Sequence, residues 1–198
     1  KKEYVGIVYL HKPVPEKEVR KACLELIGTI KQTPPKKSAV ARRERERDIY
    51  YLEVLEIKGQ HVLIKVGCQA GTYIRKLCSD IVKKLGIGAH MAELRRTKAG
   101  PFNEETLFTL QDLADAFYYY KNENNDKFLR KIIQPVENAI KHLPKIWVFD
   151  SSVDSLCHGA SLNIPGISKL NSDIEKNDNV AILTLKNELV CLGIAKLS

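Results

Sequence analysis

Several side chains in the first half of the chain are of types that a catalytic or binding site can use. Tyr4 begins a β-rich stretch, Tyr73 and Arg75 lie in the segment GTYIR, and Leu94, Arg95 and Arg96 end the segment HMAELRR. A tyrosine offers a ring for stacking and a hydroxyl for moving a proton. An arginine offers paired donors to a carboxylate or a phosphate. Each residue alone also has an ordinary explanation, a core tyrosine or a solvated arginine, so the interpretation depends on the whole set.

The predicted elements place these residues near the ends of strands and helices. An alternating stretch predicts a strand over residues 4–10, and a second strand with alternating faces is predicted over residues 91–97. Between them, apolar residues recur at helical spacing over residues 72–85, and Gly86 ends the run. Arg75 is therefore expected near the first turn of a helix.

The rest of the chain divides into further predicted elements. A helix is predicted over residues 16–27 with Gly28 as its stop, and the charge-rich residues 31–47, which include two prolines, are predicted to form an exposed loop. Strands 50–57 and 61–66 are predicted to form a hairpin. A helix is predicted to start at the capping-box-like Thr109-x-x-Asp112 and to run to about Tyr120, and a helical segment 127–142 is interrupted at Pro135. The last predicted strands are 146–149, 180–185 and 189–195.

The composition is that of a globular protein. Of the 198 residues, 44% are hydrophobic and 28% are charged, which is enough for one sizeable core or for a medium domain with a small one. No apolar run approaches the ~20 residues that span a bilayer, and the N-terminus lacks a signal-peptide core, which argues against membrane and secretory classes.

The five cysteines form no Cys-x-x-Cys pair and are expected to be buried thiols of a reducing compartment. Cys157-His158 has no second ligand pair at zinc-like spacing, so ordinary packing is expected there.

Positive charge is concentrated in the first half of the chain. Residues 1–100 contain 22 Lys and Arg against 11 Asp and Glu, whereas residues 141–198 contain 6 of each. A basic excess attracts polyanions and favours a nucleic-acid partner, although charge alone leaves RNA or DNA binding at even odds.

Several of these segments occur in the order and spacing of a known family. The sequence KEY around Tyr4, the segment AGTYIRKLC and the segment GAHMAELRRTKAG resemble the substrate-pocket motifs of TruB-type pseudouridine synthases, most closely the catalytic subunit of archaeal H/ACA guide-RNA particles. The resemblance spans nearly the whole chain. It implies an α/β (α+β) fold, with the rear part of a mixed-sheet catalytic domain over residues 1–143 and an incomplete PUA β-barrel over residues 144–198.

The resemblance also implies roles for individual residues. Tyr4 would lie against the uracil and help to move its carbon-5 proton, and Arg75 would pair with the catalytic aspartate. Tyr73 would form the pocket wall, and Leu94 would lie below the base. Residues implied to contact RNA are Lys36, Lys37, Arg42, Arg43, Arg45 and Arg47 in and after a thumb-like loop, and His90, Arg95 and Arg96 on the predicted strand. For the run RRERER the alternative stays open that it is a solvated loop, half neutralised by its glutamates.

The reaction and partners implied by the resemblance are those of an RNA-guided isomerase. Uridine in ribosomal RNA would become pseudouridine without a cofactor or a metal, with an H/ACA guide RNA and small accessory proteins as partners and no membrane. An archaeal protein of this kind would be cytoplasmic, and a eukaryotic one nucleolar.

One motif of the family is missing from the chain. The family's nucleophile is an aspartate in a Gly-x-Leu-Asp-Pro-x-x-Thr-Gly loop upstream of the tyrosine motif, and none of the nine aspartates lies in such a context. We therefore expect this chain alone to be inactive, with Arg75 left without its partner. Two alternatives remain, a non-catalytic RNA-binding module and a stand-alone tRNA pseudouridine synthase.

Overall fold

The computed structural model describes residues 1–35 and 41–196, which form two compact units. The first unit runs to Thr106 and the second begins at Leu107. Within the described ranges, no helix is long and apolar enough to cross a membrane. The domain boundary predicted after residue 143 stays a prediction.

The first unit is built on one six-stranded sheet. Its elements are β1 (Lys2–Leu10), α1 (Glu16–Leu24), β2 (Gly28–Gln32), β3 (Arg45–Lys58), β4 (His61–Cys68), α2 (Ile74–Leu85), β5 (Ala89–Ala99) and β6 (Phe102–Asn103). The strand order is β2-β3-β4-β1-β5-β6, and each neighbouring pair is antiparallel. Strand β1, which carries Tyr4, is therefore paired on both of its edges.

The core of the first unit lies between this sheet and the two helices. Tyr4, Val8 and Leu10 are buried at alternate positions of β1, as the pleat of a strand requires. Helix α2 adds Ile74 and Leu77 to the same apolar cluster. The helix ends as predicted at Gly86, whose φ of +66° is the left-handed conformation that glycine adopts without a steric cost.

Two predictions for the region after β1 are wrong. Helix α1 ends at Leu24 rather than Ile27, and Gly28 does not cap it but begins β2 with a φ of +109°. The residues predicted as a loop over 31–47 are also partly in strands, because β2 runs to Gln32 and β3 begins at Arg45. These two strands hydrogen-bond to each other, and an edge strand with charged, exposed residues carries no period that a sequence pattern can reveal. Residues 36–40 of the predicted loop lie outside the described residues.

The second unit has a mixed sheet and its own core. Its elements are α3 (Leu110–Glu123), α4 (Lys127–Ile132), a 3-10 helix (Val136–Ile140), β7 (Lys145–Val148), α5 (Asp150–Cys157), β8 (Ile167–Leu170), β9 (Asn179–Leu183) and β10 (Leu189–Ile194). The strand order is β10-β9-β7-β8, with β7 and β9 parallel. The α/β (α+β) class is thus confirmed.

Local signals in this unit gave mixed results. The capping box at Thr109 and Asp112 is present, with both reciprocal hydrogen bonds formed. Helix α5 and strand β8 were not predicted, since both are short and carry few apolar residues. Cys157 is exposed, which corrects the prediction that all the cysteines are buried, whereas Cys23, Cys68 and Cys78 are buried as expected.

Truncating a side chain in the core of the first unit tests this packing. Leu77 is fully buried against the sheet, so Leu77→Ala should lower the free energy of unfolding by about 2–5 kcal/mol. Leu24→Ala is the matched control, because Leu24 is 63% exposed and the same truncation there should cost less than about 0.5 kcal/mol. Urea unfolding followed by circular dichroism measures both, and equal losses would contradict the assignment of the core.

Candidate functional site

The centre of the candidate site is a contact between Tyr4 and Arg96. The Arg96 Nε donates a hydrogen bond of 3.2 Å to the Tyr4 hydroxyl oxygen, and the guanidinium carbon lies 5.4 Å from the centre of the Tyr4 ring. Tyr4 is buried, with 8% of its surface exposed, whereas Arg96 is exposed. The contact therefore joins a tyrosine hydroxyl, which can relay a proton, to an exposed guanidinium, which can bind phosphate or carboxylate.

Leu94 lies on the same face of the sheet as this pair. A side chain at Gly6 would come within 3.1 Å of a Leu94 methyl carbon, so Leu94 packs directly over the bare backbone of Gly6. Leu94 keeps 38% of its surface exposed. Because residues two apart on a strand share a face, Tyr4, Leu94 and Arg96 form one surface. The structure therefore brings three of the predicted site residues together.

The start of helix α2 is held by a buried glutamine. The backbone N–H of Tyr73 donates to Gln32 Oε1 at 3.0 Å, and Gln32 Nε2 donates to the Tyr73 carbonyl oxygen at 3.3 Å. Gln32 is only 2% exposed, so this pair of bonds satisfies an amide that would otherwise be costly to bury. Sequence reasoning missed Gln32, since it lies on the unpredicted strand β2.

Arg75 lies in the first turn of α2, as predicted, but it is exposed. Its side chain makes no ion pair with any residue in the described ranges. An exposed guanidinium stays hydrated, so Arg75 is not destabilising without a carboxylate partner in the described ranges.

A small pocket lies beside Tyr73, between strands β2 and β3 and the turn before α2. Its volume is about 70 Å³, and its lining residues are Gln32, Pro34, Arg45, Arg47, Gly71 and Tyr73. The Arg47 Nε is buried, and within residues 1–35 and 41–196 it has no hydrogen-bond partner. Gly71 has a φ of +87°, and a side chain there would lie 3.1 Å from the Arg47 Nε. Glycine at position 71 thus permits the positive φ of the turn and leaves space for the Arg47 guanidinium.

The other predicted RNA-contacting residues do not join these two clusters. Arg95 points to the opposite face of β5 and pairs with Glu104. His90 lies toward the other end of β5, where its Nδ1 is 2.9 Å from the His11 Nε2. Arg42 and Arg43 are exposed, and Lys36 and Lys37 lie outside the described residues.

One buried carboxylate near the site was not selected by sequence reasoning. Glu3 is 6% exposed and accepts hydrogen bonds from the Tyr51 hydroxyl and from Thr97 Oγ1, the latter at 2.8 Å. Its carboxylate also lies 3.6 Å from the Lys65 Nζ and 3.9 Å from the Lys98 Nζ. Burial raises the pKa of this carboxyl group, but the two hydrogen bonds and the two lysines outweigh it, and the pKa lies below its ordinary value.

Comparisons with known proteins identify the class of this chain. The model of the tRNA pseudouridylate synthase B C-terminal domain matches residues 75–141, the PUA domain model matches residues 144–198, and the model of the C-terminal part of Pus10 matches residues 1–82. The chain belongs to the TruB-type family of pseudouridine synthases, as its motifs suggested.

Named relatives and solved structures agree with this assignment. The chain is 57% identical over 197 residues to a probable tRNA pseudouridine synthase B of Methanosarcina barkeri and 55% identical over 198 residues to one of Pyrococcus abyssi, covering 58% and 59% of their lengths and 100% of its own. Its fold matches the crystal structure of a Cbf5-Nop10-Gar1 complex with a TM-score of 0.91 at 53% identity, covering all of this chain and 60% of that one. An H/ACA RNP bound to a substrate RNA containing 2′-deoxyuridine matches with a TM-score of 0.90 at 50% identity, covering all of this chain and 59% of that one. The chain thus spans less than two thirds of the length of these relatives.

The lowered pKa of Glu3 predicts how stability depends on pH. A carboxyl group with a depressed folded-state pKa stabilises the fold above its ordinary pKa of 4.5, and this contribution is lost as the pH falls through the folded-state value. Glu3→Gln should therefore cost about 1–3 kcal/mol at pH 7 and progressively less below pH 4.5.

Urea unfolding between pH 3 and pH 7 measures this difference. Glu16→Gln is the matched control, because Glu16 forms only an exposed pair with Arg20, and its loss should cost less than about 1 kcal/mol. If the loss in free energy of unfolding caused by Glu3→Gln stays the same as the pH falls, the charge of the carboxylate is not what stabilises the strands.

Proposed function

We propose that this chain supplies the base-binding half of the active site of an RNA-guided pseudouridine synthase that isomerises uridine in ribosomal RNA. The observation that carries the proposal is the contact of Tyr4 with Arg96 beside Leu94. A flipped uracil needs an apolar surface, a hydroxyl close to carbon 5 and a cation for the neighbouring phosphate. The three side chains offer these in one place.

The Tyr4 hydroxyl is oriented by its neighbour. Because the Arg96 Nε donates to the Tyr4 oxygen, it occupies one of that oxygen's lone pairs, and the hydroxyl must direct its own proton elsewhere. A base lying on Leu94 would then meet a hydroxyl with a defined direction, which is the geometry that a proton relay requires. The other guanidinium N–H groups of Arg96 stay available for a phosphate.

Arg75 is proposed to hold the nucleophilic carboxylate. Its guanidinium is exposed at the start of α2, so it can pair with an aspartate without a large desolvation cost. Such a pair would keep the carboxylate ionised and orient it toward the sugar. That aspartate belongs to the upstream motif expected from the family.

The RNA partner is supported by charge and by the solved relatives. Residues 1–100 carry a net charge of +11, from 22 basic and 11 acidic residues, and Arg45 and Arg47 line one small pocket. The neighbouring structures are a Cbf5 complex with Nop10 and Gar1 and an H/ACA RNP with a substrate RNA. We propose an H/ACA guide RNA and small accessory proteins as partners of the present chain as well.

A second candidate function is a stand-alone tRNA pseudouridine synthase. The relatives are called probable tRNA pseudouridine synthase B, which favours this candidate. Dependence on a guide RNA separates the two. Pseudouridine formed in tRNA without a guide would support the tRNA enzyme, whereas formation in ribosomal RNA only with a guide supports the RNA-guided enzyme.

The chemical role of Tyr4 is tested by removing its hydroxyl alone. In the protein expressed from its gene, Tyr4→Phe should lower the rate of pseudouridine formation by about 10²–10⁴-fold. RNA affinity should stay nearly unchanged, because the ring is buried and the exposed Leu94 and Arg96 are left in place. Tyr9→Phe is the matched control, since the Tyr9 hydroxyl bonds to Gln60 at the other end of β1. The 198-residue chain by itself should form no pseudouridine but should bind RNA. Pseudouridine made by the chain alone would overturn this assignment of roles.

The pocket beside Tyr73 is tested with two glycine variants. Gly71→Ala and Gly86→Ala both place alanine at positive φ and should each cost about 1–2 kcal/mol in stability. Only the Gly71 variant brings a methyl group to within 3.2 Å of the Arg47 guanidinium, since nothing lies within 4 Å of one at Gly86. RNA affinity, measured by fluorescence anisotropy, should therefore fall several-fold for Gly71→Ala alone. Equal affinities of the two variants would exclude Arg47 from RNA binding.

A further inference from the structure

Strand β5 contains a β-bulge directly opposite Glu3. Glu3 is paired with Lys98, but the next residue of β1, Tyr4, is paired with Arg96, so Thr97 is an extra residue without a partner on β1. Bulges of this kind re-aim side chains and often lie next to active sites.

The bulge decides which face of the sheet Arg96 occupies. With Glu3 opposite Lys98 and no extra residue, Tyr4 would face Thr97 and Arg96 would face Val5. Directly opposed residues share a face and successive residues alternate, so Arg96 would then point away from Tyr4. The contact of Arg96 with the Tyr4 ring therefore exists because Thr97 is bulged.

The Glu3 carboxylate binds both residues of the bulge. Thr97 Oγ1 donates to one carboxylate oxygen at 2.8 Å, and the Lys98 Nζ lies 3.9 Å from the other. On the opposite side, the Lys65 Nζ of β4 lies 3.6 Å away, and the Tyr51 hydroxyl of β3 donates a hydrogen bond. One buried carboxylate on β1 thus connects β3, β4 and β5.

Gly67 makes the bond from Tyr51 possible. Gly67 is paired with both Glu3 and Tyr51, so it lies between them in the sheet. A side chain at this position would come within 2.2 Å of the Tyr51 ring. The ring therefore crosses above a bare backbone to reach the strand beyond. A side chain at Gly67 would therefore displace the Tyr51 ring and remove its hydrogen bond to the Glu3 carboxylate. Leaving a buried polar group without a partner costs free energy of folding.

We infer that Glu3 is a positioning residue for the Tyr4–Arg96 pair and acts by holding the Thr97 bulge. Glu3 precedes Tyr4 on the strand and so points to the opposite face, and its effect passes through the backbone of β5 rather than through contact with RNA. This inference rests on the function proposed above for Tyr4 and Arg96, but its structural part can be tested without activity.

Three variants separate positioning from simple stability. Glu3→Gln removes the charge and Thr97→Val removes the donor, whereas Thr97→Ser keeps the hydroxyl. In the protein expressed from its gene, the first two variants should lower kcat by about 10- to 100-fold with KM for RNA within about twofold of wild type. Thr97→Ser should stay close to wild type. A merely structural role would remove folded protein and would not separate serine from valine.

A second measurement does not depend on activity. In the NMR spectrum of the 198-residue chain, a nuclear Overhauser effect should connect the Arg96 Hε with the Tyr4 ring. It should be lost in Glu3→Gln and Thr97→Val and retained in Thr97→Ser.

The combined outcomes distinguish this inference from the proposed function. If the wild-type protein makes no pseudouridine but the contact is lost in the two variants only, the proposed function fails and positioning by Glu3 is supported. If Glu3→Gln keeps the contact, whether or not kcat falls, the inference is overturned. A loss of the contact in Thr97→Ser as large as that in Thr97→Val also overturns it, because the hydroxyl would then not be what holds the bulge.

Discussion

The pairing of β1 on both edges is the constraint on which the first unit depends. A central strand cannot slip by one residue without moving every side chain to the other face, so Tyr4 is bound to the face that also buries Val8 and Leu10. The helices pack on that face, and Arg75 lies in the first turn of α2. The pairing of β1 with β5 shifts between Glu3 and Tyr4 and again between Ile7 and Val8, and the first of these shifts, the Thr97 bulge, lies at the candidate site.

Both buried polar residues of the described part of the chain lie beside predicted site residues. Glu3 precedes Tyr4, and Gln32 holds the backbone of Tyr73 through two hydrogen bonds. Burying such groups is costly unless each is satisfied, so they define a geometry more sharply than apolar contacts do. The arginines differ, because Arg75 and Arg96 are exposed and stay hydrated.

Charge and architecture differ between the two units. The basic excess lies in the first 100 residues, whereas residues 141–198 are neutral and match the PUA domain model. The first unit has a purely antiparallel sheet with one large core, and the second has a small mixed sheet with separate, smaller clusters. Electrostatic attraction of RNA is thus expected mainly from the unit that carries Tyr4 and Arg96.

The sequence by itself determined the features that depend on near neighbours. These are the helix that begins beside Arg75 and ends at Gly86, the capping box at Thr109, the β3–β4 hairpin, and the motifs that indicated the family. Only the tertiary structure decided that residues 28–32 form a strand, that Glu3 is buried, and that a bulge turns Arg96 toward Tyr4. Each of these depends on pairing between strands distant in the chain, and edge charges and a single inserted residue leave no trace in the local hydrophobic period.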